Sequence, residues 1–259
     1  MTTHRFFVQP DSIAGQEVIF GDATAHQICN VLRMGPGERV LVLDNSGWEY
    51  EVILDKVKAR QVVGRVVAER LATGEPRTKI TLYQGMLKGR HFEWVLQKGT
   101  ELGIVEFVPL ISERCIVADL EDVEKKRWRW ERIIAEAAEQ SRRGRLPWLQ
   151  PALIFPAACE RAKRMAGLVI IPWEEERSRD LRSALSGEEV AATAQPRKRP
   201  FSISLFVGPE GGFTPGEVSL AAGYGAVPVS LGPRILRAET AGIVVAAAIL
   251  FDSGDLQPE

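Results

Sequence analysis

Over residues 1 to about 72 the apolar positions fall in short runs that read as strands. Arg5 to Val8, Arg39 to Asp44, Trp48 to Leu54 and Gln61 to Val67 are predicted strands, rich in β-branched and aromatic residues. Asn45-Ser46-Gly47 between two of them is a tight-turn signal. One helical stretch interrupts, predicted over Asp22 to Met34 with Asp22 as N-cap and Gly35 as stop. A small closed or half-closed β-barrel is the economical architecture for such strands. The run Thr73-Gly74-Glu75-Pro76 is short, polar and carries both breakers, so it is predicted to link two domains, 1–72 and 77–259. Beyond it the pattern changes. Apolar runs at Ile80 to Tyr83, Val105 to Leu110, Leu168 to Pro172, Ile203 to Val207 and Val227 to Leu231 alternate with helical segments. That alternation predicts an α/β layer fold with a mainly parallel sheet. A long helix is predicted from Leu120 to Ser141, acidic at its start and basic just past its end. Within it Trp128 and Trp130 are either base-stacking platforms or packing residues. Ser186 to Pro200 reads as a surface loop, and its Arg197, Lys198 and Arg199 either touch phosphates or are simply solvated.

Composition narrows the classes without choosing one. The chain has 259 residues, 45% hydrophobic, and a net charge of −1, so it exerts no global pull toward nucleic acid. RNA binding must rest on local basic patches. No uncharged apolar run is long enough to span a membrane, and the start MTTHRFFVQPDS lacks a signal core. Cys29, Cys115 and Cys159 are odd in number and unpaired in spacing, which fits a cytoplasmic protein. His4, His26 and His91 are scattered, and no metal site is expected.

Candidate chemistry concentrates near the C-terminus. SLFVGPEGGFTPGEV, Ser204 to Val218, is an apolar strand running into a glycine loop and then a capped helix. Thr214-Pro215-Gly216-Glu217 has the form of a capping box with proline at the first helical position. Gly208, Gly211 and Gly212 let a ligand approach bare backbone. In open α/β folds a ligand lies beyond the carboxyl ends of the strands, where this loop falls. The second segment, VSLGPRILRAETAGIVVAAAIL, Val229 to Leu250, repeats the strand–loop–helix theme. Its helix is apolar nearly all round, which predicts burial on more than one side. Arg237 and Glu239 stand at its entrance, either pairing with each other or serving a site.

Neither loop is a Rossmann or P-loop fingerprint. Together they resemble the cofactor loops of the SPOUT methyltransferases, and of the RsmE family in particular. HQICNVLRMGPG (His26 to Gly37), EWVLQKGTELG (Glu93 to Gly103), PLISERC (Pro109 to Cys115) and EQSRRGRLP (Glu139 to Pro147) are similar to further segments of that family, in the same order. The resemblance implies a PUA-like RNA-binding β-barrel followed by a SPOUT α/β domain with a C-terminal trefoil knot. It implies a cytoplasmic homodimer that methylates uridine N3 in small-subunit (16S) ribosomal RNA with S-adenosylmethionine. The cofactor site it implies comprises Val207, Gly208, Pro209, Glu210, Gly211, Gly212, Leu231, Gly232, Leu236, Ala238 and Thr240. Backbone groups of Val207, Leu231, Leu236 and Ala238 would clasp the adenine.

Uracil N3 is not nucleophilic while protonated, so the chemistry needs a base and a partner for the carbonyl oxygens. Glu239 is the candidate base and Arg237 the carbonyl partner, with Glu139 and Arg143 in reserve. Two arginine sets are candidate RNA contacts: Arg5, Arg33 and Arg39, then Arg142, Arg143 and Arg145. Arg33 and the second set also read as charges at helix ends. The chain departs from the commonest family pattern at Arg142 and Gly144, where glycine and asparagine are frequent. Two rivals remain open: another SPOUT activity on a ribose or a different base, and a non-enzymatic RNA-binding ribosome assembly factor.

Overall fold

The computed structural model describes residues 4–59, 61–116, 120–186 and 200–257. Arg197, Lys198 and Arg199 lie outside the described residues. Two compact units emerge, Met1–Glu75 with Ala135–Leu146, and Pro76–Ile134 with Pro147–Glu259.

The first unit is built on a six-stranded mixed sheet. Its strands are β1 (Arg5–Phe7), β2 (Ile13–Ala14), β3 (Glu17–Phe20), β4 (Arg39–Leu43), β5 (Trp48–Lys58) and β6 (Gln61–Leu71), in the order β1-β4-β5-β6-β3-β2. Of these pairings only β1–β4 is parallel. Alternation sends Val18, Phe20, Val40, Val42, Val52, Leu54 and Val62 to one buried face, where Phe6, Ala25, Ile28 and Met34 complete a core. The small β2–β3 hairpin was not among the predicted strands; β2 is two residues long, too short to show a period. The helix expected over 22–34 is shorter. It comprises α1 (Asp22–His26) and one π turn (Gln27–Val31). Gly21 precedes it in the extended capping conformation and Asp22 is its first residue. Arg33, at φ 54°, ends it before Gly35 is reached.

The second unit carries a seven-stranded parallel sheet. Its strands are β7 (Lys79–Gly85), β8 (Glu106–Ile111), β9 (Trp148–Leu149), β10 (Leu153–Ile154), β11 (Leu168–Pro172), β12 (Ser202–Val207) and β13 (Ala226–Val229). The order is β10-β8-β7-β12-β11-β13, with β9 also on β8. Period two divides each central strand between two cores. Ile80, Leu82, Ile170, Ile203, Leu205 and Val207 face one layer; Tyr83, Val169, Ile171 and Phe206 face the other. α2 (His91–Leu102) lies on the first face and α5 (Phe155–Arg164) on the second. The helix expected over 120–141 is interrupted, giving α3 (Leu120–Glu124) and α4 (Arg127–Gln140). Within α4, Trp130 is buried against Phe92, with ring centroids 4.6 Å apart, and is a packing residue. Trp128 stays 68% exposed. α6 (Leu181–Ser186), α7 (Pro215–Gly223) and α8 (Ala238–Ser253) complete the unit. Among the described residues no helix is long and apolar enough to cross a membrane.

Candidate cofactor and catalytic site

Because β11, β12 and β13 run parallel, their carboxyl ends open on one edge of the sheet. A cavity of about 780 Å³ sits there, within the size range of small-molecule sites. Three loops make its wall: Trp173 to Arg177 after β11, Gly208 to Phe213 after β12, and Ser230 to Arg237 after β13. His91 from the start of α2 and Glu239 from the start of α8 close one side.

The β12 loop is tightly held. Gly212 has φ 69° and its N–H donates to Pro209 O at 2.9 Å, closing a turn that favours glycine. A Cβ on Gly212 would lie 2.6 Å from the Glu174 carboxylate. Arg114 Nη1 donates to Gly211 O at 2.9 Å, and Lys88 N to Glu210 Oε1 at 2.8 Å. The capping box forms as expected: Glu217 N donates to Thr214 Oγ1 at 3.2 Å and Thr214 N to Glu217 Oε2 at 2.9 Å. Glu217 Oε1 also accepts from Glu113 N at 2.8 Å, which ties the loop's exit to the end of β8. The β13 loop is barer. Gly232, at φ 93°, has open space where a Cβ would stand, and Ile235 is 88% exposed. Arg237 is the N-cap of α8 and offers no side-chain cap.

Of the eleven residues expected around a cofactor, ten line this cavity: Val207, Gly208, Pro209, Glu210, Gly211, Gly212, Leu231, Gly232, Leu236 and Ala238. Thr240 does not. It is already inside α8, and Ala241 takes its place in the wall. Arg237 and Glu239 line the cavity too, but the two are not joined as an ion pair. Glu239 Oε1 instead lies 3.3 Å from Nδ1 of His91. The sequence reading missed His91 and the whole β11 loop. The run PWEEER after an apolar strand was the available signal for the latter. Trp173 adds a buried indole N–H that has no partner among the described residues, an orphan donor in the wall.

The arginines expected to meet RNA all fall in the first unit, and two are corrected. Arg143 is 3% exposed, and its Nε and Nη2 grip Glu75 at 2.9 and 2.8 Å. Its head is therefore held in a buried fork and is not open to phosphate. Glu75 Oε1 also accepts the Gly144 and Arg145 N–H groups, each at 3.1 Å. Arg5 is similarly engaged, with Nη2 2.7 Å from Glu49, a buried carboxylate that Arg70 also holds. Arg33, Arg39, Arg142 and Arg145 are exposed, Arg39 paired with Glu51 and Arg145 donating to Ser46 O at 2.7 Å. Gly144 explains the departure from asparagine, since a Cβ there would lie 2.8 Å from Ala72 Cβ and 2.9 Å from Thr73 O. The reserve pair is not a pair. Glu139 accepts from Phe7 N at 3.0 Å, and burial pushes its carboxyl up to about 7. Neither Glu139 nor Arg143 lines the cavity.

The RNA methyltransferase domain family matches residues 74–250. The chain is 35% identical over 245 residues to ribosomal RNA small subunit methyltransferase E of Bacillus subtilis (strain 168), covering 93% of this chain and 90% of the relative. Ribosomal RNA small subunit methyltransferase E of Neisseria gonorrhoeae, solved bound to S-adenosyl methionine, superposes with a TM-score of 0.82 at 30% identity, over 96% of this chain and 98% of that one. A Legionella pneumophila protein solved with the bound cofactor SAM gives a TM-score of 0.84 at 31% identity, over 97% and 98%.

Proposed function

The chain belongs to the RNA methyltransferase family that includes the RsmE enzymes, and from that premise we propose that it methylates N3 of a uridine in 16S ribosomal RNA, using S-adenosylmethionine. The observation that carries the reading is the cavity at the carboxyl edge of the sheet, which gathers ten of the expected cofactor residues with Arg237 and Glu239. The cavity suits that cofactor. Its walls are rich in glycine, and the Trp173 indole N–H lacks a partner among the described residues. Glu174, Glu175 and Glu210 on the wall suit a cationic ligand. When bound, the cofactor supplies an activated methyl group. Val207, Leu231, Leu236 and Ala238 would hold its adenine through their backbones, and Gly208 to Gly212 would line the rest of its site.

The residues of the chain supply what uracil lacks. Basicity at the Glu239 end of the cavity draws off the N3 proton. Arg237 faces a carbonyl oxygen, where negative charge spreads as the proton leaves. Holding the base against the cavity turns an encounter into an oriented reaction. Residues 1–72 belong to the RNA-holding unit, a PUA-like barrel, and 77–259, apart from the stretch 135–146 that falls in the first unit, form the catalytic SPOUT domain with its trefoil knot. The exposed arginines Arg33, Arg39, Arg142 and Arg145 grip phosphates. The working form is a cytoplasmic homodimer, a reading favoured by Val244 and Phe251, which are 45% and 77% exposed on the otherwise apolar α8. Incubation of the protein with 16S RNA or small ribosomal particles and labelled cofactor, followed by mass mapping of nucleosides, tests the proposal. N3-methyluridine is expected. A ribose-methylated or other base-methylated product, or none, would reject it.

A further inference from the structure

We propose that His91 accepts the N3 proton of the target uridine and that Glu239 holds the imidazole in position for that task. The inference rests on the methylation reading above and names a catalytic residue for it. The two side chains come from the first turns of α2 and α8, helices that pack against each other. His91 is half exposed and lines the cavity, whereas Glu239 is only 13% exposed behind it. Nδ1 lies 3.3 Å from Glu239 Oε1, which leaves Nε2 as the ring nitrogen for substrate. A carboxylate this close to one ring nitrogen favours the proton on that side and turns the other nitrogen toward substrate, the arrangement of a base backed by an orienting acid.

The step balances simply. The N3–H bond breaks, its electron pair stays on N3, and the proton passes to Nε2. Glu239 offsets the imidazolium charge until solvent takes the proton. Other charged groups share the wall: Glu174, Glu175 and Arg177 after β11, Glu210 after β12, and Arg234 and Arg237 after β13. Arg90 precedes His91 in the chain. Glu239 is the charged group within ion-pair distance of the ring. A partly buried carboxylate at the start of a helix also has a plain role in satisfying the helix dipole. That role predicts lost stability and says nothing of proton transfer.

Single-turnover methylation of 16S RNA across pH decides between them, using wild type, His91→Gln, Glu239→Gln and the double variant. For His91→Gln we expect a fall of about 10²–10⁴-fold at neutral pH, unchanged calorimetric affinity for S-adenosylhomocysteine, and a residual rate that climbs with pH as uridine ionises unaided. The double variant should be no slower than His91→Gln, because the two act as one unit. Nitrogen NMR of the cofactor-free protein should place the ring proton on Nδ1 in wild type and lose that preference in Glu239→Gln. A wild-type rate for His91→Gln, additive losses in the double variant, or the ring proton on Nε2 would overturn the dyad. A wild-type product other than N3-methyluridine would instead overturn the methylation reading and remove the dyad's proton with it.

Discussion

In the first unit the charged groups engage one another. Arg143 gives its fork to Glu75, and Arg5 and Arg70 close on the buried Glu49, although Arg5 Nε is buried without a partner among the described residues. In the second unit the cavity wall keeps its polarity available: Trp173 N–H has no partner among the described residues, Arg237 makes no pair with Glu239, and the glycines at 212 and 232 adopt positive φ with bare Cα atoms. The contrast shows that residue type is a poor guide to which cation meets a ligand. An arginine beside a buried carboxylate offsets that group's desolvation first, and only what lies outside such a fork is left for phosphate. Position on a concave wall is the better guide, because the groups there face a space that a ligand can fill.

The largest expected effect comes from breaking the fork. Arg143→Ala should cost about 3–5 kcal/mol, because it leaves Glu75 mostly buried without its cation. Chemical denaturation measures this; a loss under about 1 kcal/mol, with RNA affinity falling instead, would return Arg143 to the RNA surface. Next is the wall. Gly212→Val places a β-branched residue at φ 69° with its Cβ against Glu174. Strain of roughly 1–3 kcal/mol should weaken S-adenosylhomocysteine binding about 10–100-fold while the melting curve stays cooperative. Gly225→Val makes the control, since it lies at φ 96° away from the cavity with open space around its Cβ. Equal losses from both would mean that backbone strain alone weakens binding.

A smaller effect distinguishes the first unit by pH. Burial raises the Glu139 carboxyl to about 7 from an ordinary 4.5, with Glu136 adding repulsion against the Phe7 N–H bond. The folded state therefore holds a proton that the unfolded chain releases. Stability from this group is complete below pH 4.5 and is lost as pH rises through 7. Glu139→Gln should match wild type at about pH 4 and exceed it at about pH 8 by on the order of 1–2 kcal/mol. Identical stability curves would show a solvated carboxylate. The smallest effect belongs to the exposed arginines. Arg142→Ala with Arg145→Ala should flatten the salt dependence of RNA binding by about 1.4 in log–log slope, at about 0.7 per phosphate. An unchanged slope would make these arginines surface charges only.

Much of the cavity was legible because its signals are local. Strand, glycine loop, capping box and helix follow each other within a short stretch, and each constrains the next through backbone geometry alone. Thr240 was misplaced because the helix begins at Ala238, and by 240 the helical rotation has turned the side chain off the wall. The helix over 120–141 looked continuous because apolar spacing survives the break at Lys125 and Lys126. His91 looked scattered because nothing near it in sequence hints at Glu239.

By itself the sequence determined the alternation of strands and helices, the two glycine loops and the family the chain belongs to, since these depend on periodicity, on φ preferences and on short motifs. The tertiary structure alone decided which charges are paired and which remain. Arg5 finds Glu49, Arg143 finds Glu75, and His91 finds Glu239, each partner brought from a distant part of the chain. An ionic side chain reaches only a few ångströms, and its long-range neighbours exist only once the chain has folded.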